Sequence, residues 1–164
     1  MNHAVIAPVV LPLLTGILLL LLREPRMALR RRLSVAAVVG QIGLALSLMA
    51  MASDGDILVY ALGDWPAPFG IVLVADRLAV WMLTITSLLA LFALLYAIRG
   101  DDQAGRHFHA LFQFQLFGLN GAFLTGDLFN LFVFFEILLL ASYGLLLHGG
   151  GRRRTRAGLH FVVI

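Results

Sequence analysis

The sequence predicts an all-α, polytopic membrane protein, and three observations support this prediction. Hydrophobic residues make up 61% of the 164 residues and charged residues only 13%, whereas soluble domains carry about a quarter charged residues. The mean hydropathy is +0.96. Five apolar runs contain 19 to 21 residues each, close to the length of about 20 residues that a helix needs to cross a bilayer.

These five runs are the predicted transmembrane helices, in chain order. They are Ala4–Leu22, Leu33–Ala52, Leu78–Ile98, His107–Thr125 and Leu128–His148. The first is expected to be a retained helix and not a signal peptide, because no Arg or Lys precedes it. A sixth apolar run begins at Ala157 and is too short to cross by Ile164. We therefore expect residues 1–164 to be the N-terminal portion of one longer transmembrane domain.

The connection Ser53–Arg77 is the longest one between predicted helices, and we expect it on the outer side. Ile57–Tyr60 and Phe69–Val74 are short runs of β-branched, aromatic and other apolar residues, separated by glycines and prolines. This pattern is typical of a short β-hairpin or a lid over the helix ends. A plain loop on the membrane surface is the alternative.

The arginines predict the orientation of the chain. All twelve Lys or Arg residues are arginines, and eleven of them fall between the predicted helices on one side. The positive-inside rule makes this side cytoplasmic, so the N-terminus lies outside and the protein lies in the cell (inner) membrane. The net charge of +3 is therefore a signal of topology, and no nucleic-acid partner is expected. The eleven are Arg23, Arg26, Arg30, Arg31, Arg32, Arg99, Arg106, Arg152, Arg153, Arg154 and Arg156; the exception is Arg77.

Glu136 is the main candidate functional residue. It stands alone in an apolar run, about eight residues and hence about 12 Å from one end. A carboxyl group at that depth costs about 2.5–3.5 kcal/mol even on insertion scales, and such groups pair, relay protons or bind ions. We expect a buried proton relay, with Tyr143 as the other polar group on its face. A protonated glutamate that only hydrogen-bonds a neighbouring helix is the alternative.

A second polar stripe lies on the fourth predicted helix. His109, Gln113 and Asn120 follow spacings of four and seven residues and so share one face. They could form a polar path toward Glu136, or they could be interhelical hydrogen bonds worth about 0.6 kcal/mol each. Gly118 and Ala122 nearby would let another helix approach closely.

Several kinds of site are excluded or disfavoured by composition and spacing. Cysteine is absent, so there is no disulfide, thiolate metal site or cysteine nucleophile. His107 and His109 are two residues apart and face nearly opposite ways on a helix, which disfavours a haem or metal site. We expect no cofactor, no metal and no enzyme active site.

Two strings together resemble a known family. They are LTGDLFNLFVFFEILLLASYGLLLHG (124–149) and ALGDWPAPFGIVLVADRLAVWML (61–83). They are similar to the antiporter-like membrane subunits shared by Mrp-type sodium/proton antiporters and respiratory complex I, above all to the D-type subunit of the Mrp antiporter.

The resemblance carries functional expectations. It implies that Glu136 is the essential glutamate of the fifth helix, paired with a lysine that this sequence does not contain. It implies a subunit of a hetero-oligomeric antiporter that moves protons and Na⁺ or another monovalent cation across the bilayer. A proton-translocating subunit of a redox complex related to complex I or to membrane hydrogenases is the first alternative. A scaffold with a purely structural glutamate is the second.

Overall fold

The computed structural model describes residues 3–22, 27–53, 55–65 and 70–163. Within these ranges the chain is mostly helical, as predicted, with one small two-stranded sheet. The strands are β1 (Leu58–Ala61) and β2 (Val72–Ala75). The helices are α1 (Ala7–Leu21), α2 (Met27–Met51), α3 (Arg77–Ala97), α4 (Phe108–Leu124), α5 (Leu128–Leu146) and α6 (Arg152–Val163).

Three of these helices, α2, α3 and α5, are long and apolar enough to cross a membrane. Helices α1 and α4 have 15 and 17 residues, shorter than the 19 residues predicted for each. At about 1.5 Å per residue they extend about 22 and 26 Å, so the prediction of five full spans stays a prediction. The three long apolar helices make this chain a multi-pass membrane protein.

Two predicted helix starts are wrong, and arginine is the reason in both cases. Helix α2 begins at Met27 and not at Leu33, and α6 begins at Arg152 and not at Ala157. Hydropathy excludes arginine from an apolar run, but arginine is a good helix former and its long side chain carries the charge away from the backbone. Seven of the eleven arginines therefore lie inside a helix and not in a connection: Arg30, Arg31, Arg32, Arg152, Arg153, Arg154 and Arg156.

The predicted hairpin is present. Strands β1 and β2 are antiparallel, and Leu58 pairs with Ala75. The hairpin continues onto the turn between α4 and α5, where Leu73 bridges Thr125 and the N–H of Gly126 donates to the carbonyl of Val72 at 2.8 Å. Part of the predicted second run, Phe69, lies outside the described residues.

The two helices that follow the hairpin and the turn begin with acidic caps. Asp76 Oδ1 accepts from the N–H of Ala79 at 2.7 Å, and Asp127 Oδ1 accepts from the N–H of Asn130 at 2.6 Å. A carboxylate at this position satisfies a free N–H and opposes the positive end of the helix dipole. Aspartate is one of the residue types preferred at this capping position.

Helix α4 packs between α1 and α5. The sequence predicts a close helix contact at the small residues Gly118 and Ala122. In the structure α4 contacts α5 closely at Gly118 and at Gly121. A Cβ on Gly118 would lie 2.9 Å from the backbone nitrogen of Leu138, and one on Gly121 would overlap the ring of Phe134. The missing side chains therefore set how closely α5 can approach.

We predict that Gly121→Ala destabilises the protein by about 1–3 kcal/mol, because the new methyl group must displace a buried ring. The matched control is Gly43→Ala on α2, where a Cβ meets nothing within 4 Å and the gain in helix propensity is about 0.5–1 kcal/mol. Thermal unfolding in detergent compares the two. Equal stability of the two variants would contradict the packing assignment.

Candidate functional site

A carbonyl on α1 joins three helices. Pro12 lies inside α1 and has no N–H, so the carbonyl of Pro8 lacks its usual helical donor. Two side chains take that place: Gln41 Nε2 on α2 donates at 2.9 Å and Asn120 Nδ2 on α4 donates at 2.8 Å. Both donors are buried. Pro12 therefore frees an acceptor on α1 for donors from two other helices.

The polar stripe on α4 shares one buried face, as its spacing predicts. His109, Gln113 and Asn120 are all at most 3% exposed. Gln113 Nε2 lies 3.4 Å from the carbonyl of Ser34 on α2, and Asn120 reaches α1 as described above. The stripe is thus turned toward α1 and α2, and its amide side chains form hydrogen bonds to these helices.

Glu136 lies on a different side of the bundle. It is about 12 Å into α5, which is about 28 Å long. Phe134 and Leu138, which face α4, are each two residues away and hence about 160° around the helix from it. The structure does not bring the α4 stripe and Glu136 together.

The face of α5 that carries Glu136 is uncovered by the described residues. The sequence predicts a buried glutamate, but its side chain is exposed here, and none of the described residues forms a hydrogen bond or ion pair with it. Its neighbours on that face are also exposed, with Phe129 at 79% and Leu140 at 67%. Tyr143, one turn beyond Leu139, is half-buried and meets the ring of Phe161 on α6 edge-on.

A second group of charged residues escaped the sequence analysis. Asp102 follows α3 in a short 3-10 turn and is fully buried. Arg31 Nε and its terminal nitrogen donate to both carboxylate oxygens of Asp102 at 2.6 and 2.8 Å. His109 Nε2 lies 3.2 Å from the same carboxylate. The sequence marked Arg31 only as a topology signal, and the two acids Asp101 and Asp102 between Arg99 and Arg106 were the signal that could have found its partner.

The surroundings lower the pKa of the Asp102 carboxyl below its ordinary value. The hydrogen bonds from Arg31 are the largest cause, burial acts in the opposite direction, and the bond to His109 lowers it further. Asp102 is therefore a carboxylate at neutral pH and holds the α3–α4 connection against α2.

Arg30 connects further segments of the chain near the Asp102–Arg31 pair. Its guanidinium donates to the carbonyls of Arg106 and Leu22, both at 2.6 Å. The end of α1, the start of α2 and the α3–α4 connection thus meet at one end of the bundle. We call this the arginine-rich end; its described arginines are Arg30, Arg31, Arg32, Arg99, Arg106, Arg152, Arg153, Arg154 and Arg156.

Chemically, the arrangement offers two protonatable positions: a charged, paired carboxylate at the arginine-rich end and an uncovered glutamate half-way along a candidate span. Among the described residues, no group of three or more His, Asp or Glu side chains is placed to hold a metal ion.

Comparison with known proteins then decides the relationship. No protein-family model matches the chain. A Rhizobium meliloti (strain 1021) protein, named as the D-type subunit of a probable K⁺/H⁺ antiporter, is 50% identical over 169 residues, covering 100% of this chain and 31% of the relative. The D-type subunit of the Na⁺/H⁺ antiporter of Alkalihalophilus pseudofirmus is 42% identical over 166 residues, covering 100% of this chain and 34% of that protein. The chain is homologous to D-type antiporter subunits. It spans about a third of the length of these curated relatives.

Solved structures agree with this relationship. A chain of the Mrp complex from Dietzia sp. DQ12-45-1b has a TM-score of 0.84 and 35% identity, over 90% of this chain and 28% of that one. A chain of the membrane-bound sulfane sulfur reductase, an archaeal respiratory membrane complex, has a TM-score of 0.90 at 22% identity, over 99% of this chain and 34% of that one. The latter likeness shows a shared fold. The resemblance to D-type antiporter subunits that the sequence predicted is confirmed.

Proposed function

We propose that this chain is part of a membrane subunit of a multisubunit monovalent cation/proton antiporter, and that Glu136 is its proton-relay group. The observation that carries the proposal is the position of Glu136: half-way along α5, on the face that α1 to α4 leave uncovered. The identity of 50% and 42% to antiporter subunits over the whole chain supports the assignment to an antiporter subunit.

The mechanism follows from how a carboxyl group responds to its surroundings. A cationic side chain beside Glu136 favours the charged carboxylate, and its withdrawal in an apolar environment favours the protonated form. The resemblance implies a lysine for this purpose, supplied from outside residues 1–164. Alternation between the two states lets Glu136 take a proton from one side and release it to the other while the complex exports a cation.

The α4 stripe has a structural role in this proposal. Gln113 and Asn120 already hydrogen-bond main-chain carbonyls of α2 and α1, and their face is turned away from Glu136. They hold the three helices in register, and Tyr143 remains the polar group nearest to Glu136 along its own face. Proton relay by Glu136 thus depends on α5 and on the groups that cover its exposed face in the complete complex.

The proposal places the arginine-rich end in the cytoplasm and the hairpin outside, in the cell membrane. Residues 1–164 contain no cysteine, so single cysteines placed there report this directly once any cysteine elsewhere in the full-length protein is replaced by serine. We predict that Gly150→Cys in the full-length protein reacts with a membrane-impermeant maleimide in everted vesicles only, and that Asp56→Cys reacts in intact cells only. The opposite pattern would reverse the orientation.

The test of the function is transport by the complete complex. Everted vesicles from a host without its own antiporters are energised, and Na⁺ or K⁺ is added while a fluorescent dye reports the pH gradient. The proposal predicts that the cation collapses part of the gradient with no reduced electron donor present. The relatives' names differ in the cation, K⁺ in one and Na⁺ in the other, so both ions are tested.

A redox-driven proton pump is the second candidate, and the shared fold with a chain of a respiratory membrane complex favours it. It predicts proton movement that requires a reduced donor and does not respond to added Na⁺ or K⁺. That outcome in the same vesicles would replace the antiporter assignment.

A further inference from the structure

Helix α6 has a defined packing face. A Cβ on Gly158 would lie 2.5 Å from Leu147 Cδ2, so a larger residue there would have to displace the Leu147 side chain at the end of α5. Phe161, three residues later, meets the ring of Tyr143 edge-on with ring centres 6.2 Å apart. One side of α6 is thereby fixed against α5.

Three basic side chains lie on the opposite side of α6. Arg153, Arg156 and His160 are spaced by three and four residues, and each lies about 140–200° around the helix from Gly158. All three are exposed. Together with Ala157 they line a concavity of about 470 Å³. We call this surface the α6 basic face.

The α6 basic face has no acidic partner among the described residues. The ion pairs among the described residues join Asp102 to Arg31 and to His109, away from this face. The neighbouring Arg154 is turned the other way and donates to the carbonyl of His148. Two guanidinium groups without an acidic partner among the described residues, and an imidazole, therefore surround a small residue.

We propose that the α6 basic face is a binding site for the phosphate of an anionic phospholipid. The guanidinium fork matches phosphate oxygens in a bidentate geometry, and cationic side chains near an anionic bilayer surface are attracted to it. The face begins seven residues after α5 ends, so a bilayer crossed by α5 would bring it to the level of the headgroups. Ala157 leaves room for the phosphate, and exposed Leu159 and Val162 lie further along α6, where acyl chains would follow.

This site goes beyond the proposed transport role and does not depend on it. Its test uses the full-length protein in its complex, purified in mild detergent, mixed with phosphatidylglycerol or phosphatidylcholine and analysed by native mass spectrometry. The wild type is expected to retain phosphatidylglycerol at least tenfold better than phosphatidylcholine. Arg153→Gln/Arg156→Gln is expected to lose that preference while remaining assembled.

The matched control is Arg99→Gln/Arg106→Gln, which removes the same charge from exposed side chains at the same end and is expected to keep the preference. Equal loss in both double variants, or no preference in the wild type, would overturn the site. Displacement of the lipid by millimolar inorganic phosphate would overturn its assignment to a lipid, and so would a face covered by polypeptide in the complete complex.

Discussion

Glu136→Gln in the full complex is expected to abolish cation-driven proton movement in everted vesicles, with a loss of at least a hundredfold. Glutamine keeps the size and hydrogen-bonding capacity of the side chain but cannot exchange a proton near neutral pH. Because the face around Glu136 is otherwise apolar, no other carboxyl group on α5 can replace it. The complex is expected to assemble normally, since the described residues form no contact that depends on this carboxylate.

Leu140→Gln is the matched control. It places an amide on the same exposed face, one turn from Glu136, without removing a carboxyl group, and it is expected to keep most of the transport. Transport by Glu136→Gln at the wild-type rate would remove Glu136 from the mechanism. A complex that fails to assemble only in Glu136→Gln would favour the scaffold interpretation of this residue.

Asp102→Asn is expected to lower stability at neutral pH by about 1–3 kcal/mol, the usual cost when a buried polar group loses its hydrogen-bonded partner. The variant removes the carboxylate from the buried side of the pair, whereas Arg31 is partly exposed and can still reach water. The pKa of Asp102 is lowered in the folded protein, so the wild type binds fewer protons at this site when folded than when unfolded. Its advantage over the variant is therefore full above the ordinary carboxyl pKa of about 4 and shrinks as the pH falls through the lowered value.

Chemical unfolding in mixed micelles, measured from neutral pH down to about pH 2, follows this difference. Asp101→Asn is the control, because Asp101 is adjacent and exposed and loses the same charge without breaking the pair. It is expected to change stability by less than about 0.5 kcal/mol. A pH-independent difference between wild type and Asp102→Asn would contradict the charge assignment.

Much of this fold was predictable from the sequence because apolar runs and turn residues report local structure. The helices, the hairpin and the acidic caps at Asp76 and Asp127 all follow from neighbouring residues. The starts of α2 and α6 were missed because arginine is at once strongly polar and a good helix former. Hydropathy alone measures only the first property.

The contacts between distant residues could not be predicted. Arg31 and Asp102 are 71 positions apart, and the donors to the Pro8 carbonyl lie 33 and 112 positions away. The residue spacing identified the shared face of the α4 stripe but did not indicate which helix it faces. It likewise identified the face of Glu136, whereas burial of that face depends on what packs against α5.

The complete complex provides the most direct test of the central claim, which is that Glu136 acquires a polar partner when the uncovered face of α5 is covered. A cryo-electron microscopy structure of the full assembly, at a resolution that places side chains, is the measurement. We predict a cationic side chain or ordered water within hydrogen-bonding distance of the Glu136 carboxyl group. A carboxyl group that points into lipid acyl chains, with no polar atom beside it, would contradict the relay.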